Sequence, residues 1–283
     1  MKISAFLPVY NEESRIRYIL QSLQWCDEVI VVDKESADNT VNICLEYGAK
    51  VFTMPNSDAF SVSEWEFLRE CKGDWILTIT ASDIIDKSLA MEIRKQINVL
   101  PENVGCIKVP FKNYILGIED ERSPWHCTHR MKVFRRSNYT INSSVHGALS
   151  YTNDQSYTIP DKYGYISHLS HVSLDMMLDR HTRYWRGEAN MYSEKSLVPA
   201  LKAFWESVKE VTKRRKTFFL GWDGIALSFA YVSYFMFSFL YIWEHRRKEN
   251  AQQYYEQLRE RNYEIWKDYK SDNNEALNYN NKL

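Results

Sequence analysis

Neither sign of charge dominates this 283-residue chain: 36 Lys and Arg stand against 37 Asp and Glu, a formal net charge of -1. A protein built chiefly to bind nucleic acid carries a basic footprint, so that class is set aside. Glycine and proline are scarce, at nine and seven residues, which excludes a collagen-like or linker-like chain. Cysteine is scarce as well. Cys26, Cys44, Cys71, Cys106 and Cys127 are odd in number, scattered, and form no C-x-x-C pair. A disulfide framework or zinc site is therefore not expected; reduced, mostly buried thiols in a cytoplasmic protein are. The segment MKISAFLPVYNEES has one Lys and an apolar stretch too short for a secretory signal, so the mature protein is expected to begin here. There is no internal repeat and no low-complexity tract. Hydrophobic residues make up 45%, enough for a sizeable core in one large domain or two small ones. Aromatics reach 14% and suit sugar faces, membrane interfaces and cores alike, so their excess alone decides little.

The first hundred residues alternate strand and helix patterns. ISAFLPV (3–9) reads as a buried strand. NEESRIRYILQSLQW (11–25) opens with Asn11 and acidic residues, a helix start, and places Ile16, Ile19, Leu20 and Leu23 on one face. VIVV within 27–36 is a continuous apolar run, as in a strand covered on both faces. Ser36–Tyr47 is a helix stopped by Gly48, 49–54 a third strand, Val62–Cys71 a helix and 73–79 a fourth strand. Strands separated by helices imply an α/β fold with an open, mostly parallel sheet of nucleotide-binding type and right-handed crossovers. Segments 105–116 and 129–137 read as further strands. Residues 138–170 look irregular and surface-forming, with a strand candidate at 156–160, and Leu174–Ser193 reads as a helix.

In parallel sheets ligands bind at the carboxyl ends of the strands. Three polar loops fall there: PVYNEE (8–13), DKESADNT (33–40) and TASD (80–83). Backbone amides near the first helix start can meet phosphate, Asp33 can accept from a base or ribose, and Asp83 can hold a divalent cation against a diphosphate. Any one of these alone could be a helix cap or a solvated loop; three in order at successive strand ends point to one nucleotide site.

At these residues the chain resembles family 2 glycosyltransferases of the GT-A fold, with bacterial lipopolysaccharide-core glucosyltransferases the most similar group. The resemblance is carried by LPVYNEES (7–14) and WCDEVIVVDKESADNT (25–40), then by MKVFRRS (131–137), VHGAL (145–149) and HVSLDMMLDRHTRYWRGEA (171–189). It extends through a basic and then aromatic stretch, 213–244, that ends YIWE. It implies a GT-A domain over 1–200, with a nucleotide-binding half (1–100) and an acceptor half (101–200). Membrane-associating helices over 201–248 and a polar helical tail over 249–283 would follow. It also implies sugar transfer, with inversion, from a nucleotide-sugar donor to a glycan or lipid-linked acceptor in surface polysaccharide synthesis. The nucleotide-binding residues it marks are Pro8, Val9, Tyr10, Asn11, Glu12, Asp33, Ser36, Asp83 and Arg130.

Three departures from the family pattern bear on chemistry. The family strand ends D-A-D-E, with its second Asp on Mg²⁺ or Mn²⁺; here stand Thr80, Ala81, Ser82 and Asp83. Either Asp83 takes over the metal, with Ser82, or the metal is weak or absent. The basic residue usual after the third strand is missing from AFSVSEWEF (59–67). The Glu of V-H-E is Gly147, which leaves His146 as the candidate base or as a structural loop histidine. Asp120, beside Glu119, is a second catalytic candidate. Arg130, Lys132, Arg135 and Arg136 form a basic cluster able to bind diphosphate, or a solvated strand edge. His168 and His171 could approach the metal or diphosphate, or form a packed pair. The altered motifs motivate an alternative function: a catalytically degenerate relative acting as a binding or assembly partner.

Gly224–Trp243 holds 20 residues without formal charge, flanked by KRRK (213–216) and HRRK (245–248). Basic residues on both flanks and recurring Ser and Tyr favour a helix or helical hairpin in the membrane interface over a span. A buried hydrophobic helix of a soluble protein or oligomer is the competing reading. The expected place is the cytoplasmic face of the inner membrane, peripheral or monotopic. The oligomeric state is left open, and no nucleic acid partner is expected.

Overall fold

The structure, a computed structural model, describes residues 1–56, 63–141, 149–153, 155–192, 196–247 and 251–267. Strands β1 (Ile3–Val9), β2 (Glu28–Asp33), β3 (Lys50–Thr53) and β4 (Trp75–Thr78) alternate with helices α1 (Ile16–Ser22), α2 (Thr40–Glu46) and α3 (Ser63–Glu66). There follow β5 (Asp83–Ile85), α4 (Lys87–Val99), β6 (Cys106–Ile115) and β7 (His129–Arg135). Then come β8 (Thr140–Ile141), β9 (Leu149–Ser150), β10 (Ser156–Thr158) and β11 (Ile166–Ser170). The chain closes with α5 (Leu174–Tyr192), α6 (Val198–Lys209), α7 (Trp222–Arg246) and α8 (Ala251–Lys267).

The main sheet runs β3-β2-β1-β4-β7-β6-β11-β5, with β10 beside β6. β1 pairs in parallel with both β2 and β4, and β2 with β3, as the alternating pattern requires. β7 lies antiparallel between β4 and β6 and joins the two halves. The continuous apolar runs reflect burial on both faces. Ala5, Leu7, Val31, Leu77 and Val133 pack in one layer, while Phe6, Ile30, Val32, Ile76 and Phe134 pack in the other. Period-2 alternation within each run sends neighbours to opposite layers. Each Val, Leu, Ile or Phe among them contributes roughly 1.5–3 kcal/mol by leaving water. Cys44, Cys71 and Cys106 are buried, and all five thiols are free.

Register aligns the strand ends that matter. Val9 is level with Asp33 and Phe6 with Thr78, so the loops after β1, β2 and β4 leave from one edge. Gly48 adopts φ 75°, the left-handed conformation that ends α2 as expected.

The structure departs from the sequence expectation at five places, the first being α2, which begins at Thr40 rather than Ser36 because residues 36–39 form the loop after β2. α1 begins at Ile16, not near Asn11, because residues 11–13 bond sideways to the next loop. The 62–71 helix is a short α turn (Ser63–Glu66) followed by a 3-10 turn (Phe67–Glu70). Asp83 starts a strand rather than standing in an open loop. Within the irregular 138–170 stretch, β11 adds an ordered strand parallel to β6. In the C-terminal third, one face of α7 packs on α5. Trp185 contacts Tyr234, Phe237 and Tyr241, and its indole donates to the Tyr234 carbonyl at 2.9 Å.

Candidate active site

The loops after β1 and β2 are laced together. The Asn11 amide donates to Ser36 Oγ (2.9 Å), the Glu12 amide to Thr40 Oγ1 (2.7 Å), and the Glu13 amide to Asp38 (3.1 Å). In return the Ala37 amide donates to Asn11 Oδ1 at 2.8 Å. Asn11 and Glu35 hold positive φ, 51° and 56°, in making these turns. The amides expected to meet phosphate are therefore already used, and α1, seven residues long, starts after them. Asp33 is 2% exposed, and its carboxylate accepts the Ser36 amide at 3.1 Å. It sits beneath the loop rather than in the cleft wall.

A cleft of about 490 Å³ opens at this edge. Pro8, Val9, Tyr10 and Glu12 line it from the first loop, and Thr80, Ala81 and Ser82 from the third. Lys132 of β7, His168 of β11, and Arg180, Arg183 and Tyr184 of α5 form the facing wall. The structure thus brings four of the expected nucleotide-binding residues into one cavity, with Asn11, Asp33 and Ser36 as its scaffold.

Asp83 lies below the floor with its side chain fully buried. One oxygen is 2.6 Å from His168 Nδ1; the other accepts the Thr80 amide (2.9 Å) and hydroxyl (3.0 Å) and pairs with Lys132 Nζ at 3.5 Å. A carboxylate only accepts, so His168 donates from Nδ1 and its Nε2 is the other ring atom available to a ligand. Burial alone would raise the Asp83 carboxyl; the Lys132 ammonium and the His168 bond outweigh it and hold it well below the carboxylate range. Asp83 thus anchors two basic groups in the cleft wall.

His171 is a second focus. It holds φ 51°, is 7% exposed, and its Nδ1 is buried without a hydrogen-bond partner among the described residues. Its ring packs on His181 at 5.3 Å, so the packed pair involves His181 rather than His168. Burial, with His181 and Arg180 nearby, pushes His171 down to about 4, and burial does the same to His181.

His171 and Tyr184 also line a second cavity, of about 730 Å³, between α5, α6 and α7. Its walls are largely aromatic and apolar: Trp125, Tyr231, Tyr234, Phe235 and Ile242 among them. Arg130 borders this cavity, not the first, with its guanidinium stacked 4.6 Å over Phe111. Asp120 reaches neither cavity; it forms a two-pronged pair with Arg122 at 3.0 Å on both arms. His146 and Gly147 lie outside the described residues. The cleft cations Arg15, Lys34, Arg180 and Arg183 were not singled out from sequence. Their signal was the i, i+3 spacing of Arg180 and Arg183 on a helix that follows a strand end.

Residues 4–150, the part that builds the three loops and β7, match the family model described as Glycosyl transferase family 2. An uncharacterized glycosyltransferase of Rickettsia bellii is 31% identical over 241 residues, spanning 79% of this chain and 80% of the relative. The chain belongs to glycosyltransferase family 2. This family 2 chain is also 25% identical, over 152 residues, to the lipopolysaccharide core biosynthesis glycosyltransferase LpsC of Rhizobium meliloti, covering 52% of this chain and 56% of that one. Among solved structures it is similar to S. aureus TarS 1-349, with a TM-score of 0.44 and 16% identity over 88% of this chain and 92% of that one.

A divalent cation is the cofactor expected of such a site, at Asp83. The donor set there does not fit one. Both Asp83 oxygens are occupied, and its neighbours are an ammonium and an imidazole rather than further carboxylates. The hydroxyls of Thr80 and Ser82 lie 3.1 Å apart and bond each other. Among the described residues, no group of three His, Cys, Asp or Glu side chains is placed to hold a metal.

Proposed function

We propose that this glycosyltransferase moves a sugar, with inversion, from a nucleotide-sugar donor to a glycan or lipid-linked acceptor in bacterial surface polysaccharide synthesis. The observation that carries the reading is the meeting of two unlike cavities at His171 and Tyr184. The first is lined by cations and loop residues, and suits a nucleoside diphosphate. The second is aromatic and apolar, and suits the non-reacting part of a lipid-linked acceptor.

In the reaction the acceptor oxygen bonds to the anomeric carbon from the face opposite the diphosphate. The bond from that carbon to the diphosphate oxygen breaks, and its electron pair leaves on the nucleoside diphosphate. Fixed cations stabilise the charge that builds there. The acceptor proton passes to a base, for which His146 remains the candidate. Asp120, tied to Arg122, is not used in this scheme.

The molecule is proposed to work at the cytoplasmic face of the inner membrane, with α7 lying in the interface. Trp222, Phe219 and Phe229 are 84%, 77% and 68% exposed. Meanwhile Glu188 of α5 accepts from Tyr234 (2.8 Å) and Ser238 in the middle of α7. A helix tied through its middle to a charged side chain of the soluble domain suits lying along a surface better than crossing it. Arg214 and Arg215 are engaged by Glu206 and Glu210, and the basic side chains left outermost are Lys213 and Lys216.

Transfer assays with a panel of nucleotide sugars and lipid-linked acceptors test the reading, with the anomeric configuration of the product read by NMR. Retention of configuration, or no turnover with any donor, would overturn it. The buried, fully partnered Asp83 favours a second reading, a degenerate relative that binds nucleotide without turnover. Nucleotide binding in the absence of transfer would select it.

A further inference from the structure

We propose that the cleft holds the donor diphosphate with side-chain cations, Arg180 and Arg183 of α5 and Lys132 of β7, and needs no divalent metal ion to do so. This rests on the nucleotide-sugar reading above. The family's usual ligand position holds Ser82, whose hydroxyl bonds Thr80, and a cation taken instead by Asp83 would have to displace the Lys132 ammonium and the His168 imidazole. Hydroxyls are weak ligands beside the carboxylates such ions take.

The charge on the walls points the same way. Arg15, Lys34, Lys132, Arg180 and Arg183 line the cleft against two carboxylates, Glu12 and Glu64. Both carboxylates are already matched: Glu12 bonds Arg15 and lies 4.0 Å from Arg180, and Glu64 pairs with Lys34. Outside the lining, Asp83 pairs with Lys132 and Asp179 with Arg183, so five cations stand against four carboxylates and the surplus is a single positive charge. It repels a further dication and draws in a polyanion.

Arg183 supplies the third observation. Its Nη2 reaches Asp179 at 3.1 Å, but its Nε is buried with no acceptor among the described residues. A guanidinium N–H removed from water and left unbonded destabilises the site until an acceptor arrives. Three buried atoms without a hydrogen bond among the described residues line this cleft: Glu64 Oε2 faces the Lys34 ammonium, His171 Nδ1 can donate or accept, and Arg183 Nε can only donate and so calls for an anion. Arg180 and Arg183 are three residues apart on α5 and so share a face. Their planar forks can take phosphate oxygens two at a time. Burial depresses Lys34, with Arg183 adding repulsion, and likewise Arg180, with Arg15. Like charges held this close relax when an anion enters between them.

Inorganic pyrophosphate and UDP, GDP, ADP and CDP, titrated calorimetrically into the full chain in EDTA and then in excess Mn²⁺, test the inference. Pyrophosphate and at least one nucleoside diphosphate are expected to bind in EDTA, with affinity altered less than about tenfold by Mn²⁺. Arg180→Ala and Arg183→Ala, checked by thermal melts to be folded, are each expected to weaken that binding by at least about tenfold. Arg183→Lys should restore part of it, since the charge returns without the fork. Binding that appears only with Mn²⁺, or folded Arg variants that bind as tightly as the parent, would overturn the inference and leave the transferase reading standing. Failure of every one of these ligands to bind, with or without Mn²⁺, would overturn both.

Discussion

His168 Nδ1 lies 2.6 Å from Asp83 Oδ1, a bond that closes across 85 residues of chain and ties β11 to β5 at the edge of the cleft. With Lys132 on its other oxygen, Asp83 is the fixed point from which two basic groups reach the donor site.

Replacing Asp83 therefore acts on the fold as well as the site. Asp83→Ala should cost about 1–3 kcal/mol of stability, because it removes the buried acceptor for the Thr80 amide and the His168 ring and leaves the half-buried Lys132 ammonium without its partner. Asp83→Asn should cost less and still weaken nucleoside diphosphate binding, since Lys132 and His168 lose their anchor. Thermal melts and calorimetry on both variants check this; a melt of Asp83→Ala matching the parent would refute the anchoring role. The Asp83 carboxyl is held below its ordinary value, so its stabilisation is present above about pH 4 and lost as pH falls further.

A second pH effect comes from His171 and His181. Both fall from an ordinary 6.5 to about 4 in the fold, chiefly through burial. As pH drops below 6.5 the unfolded chain takes up protons first, so stability rises with pH between about 4 and 6.5. The melting temperature should be lower at pH 5 than at pH 7 by several degrees. Replacing both histidines with Phe should flatten that slope, as measured by melts across the range.

Asp33→Ala removes the acceptor for the Ser36 amide under the loop laced to Asn11. Nucleoside diphosphate affinity should fall by about 1–3 kcal/mol while the fold survives. Calorimetry showing unchanged affinity in a folded variant would remove Asp33 from the site.

The exposed aromatics at the start of α7 and in the turn Thr217–Leu220 before it should bring the protein down with membranes, and high salt or alkaline carbonate should release at least part of it. Trp222→Ala with Phe219→Ala should reduce sedimentation with anionic vesicles and leave pyrophosphate affinity unchanged. Cleavage of the C-terminal tail by protease added outside intact inner membranes would show a spanning helix instead.

The alternation of short apolar runs and helices in residues 3–79 was legible from sequence because strands buried on both faces must be continuously apolar, and the loops at their carboxyl ends must be polar. That is why β1, β2 and the three cleft loops were found at their places. The sequence likewise marked α5 and α7, whose patterns extend over many turns. What it could not show is which way polar side chains turn. The amides of residues 11–13 looked open to phosphate until Ser36, Thr40 and Asp38 were seen to take them. Asp83 looked like a free loop carboxylate until β11, a strand of five residues with no clear alternation, was seen to bring His168 against it. Local pattern records burial, which each residue signals through its own polarity. Pairing between charges 49 and 85 residues apart leaves no trace in spacing, so only the tertiary structure decided which cations face the cleft.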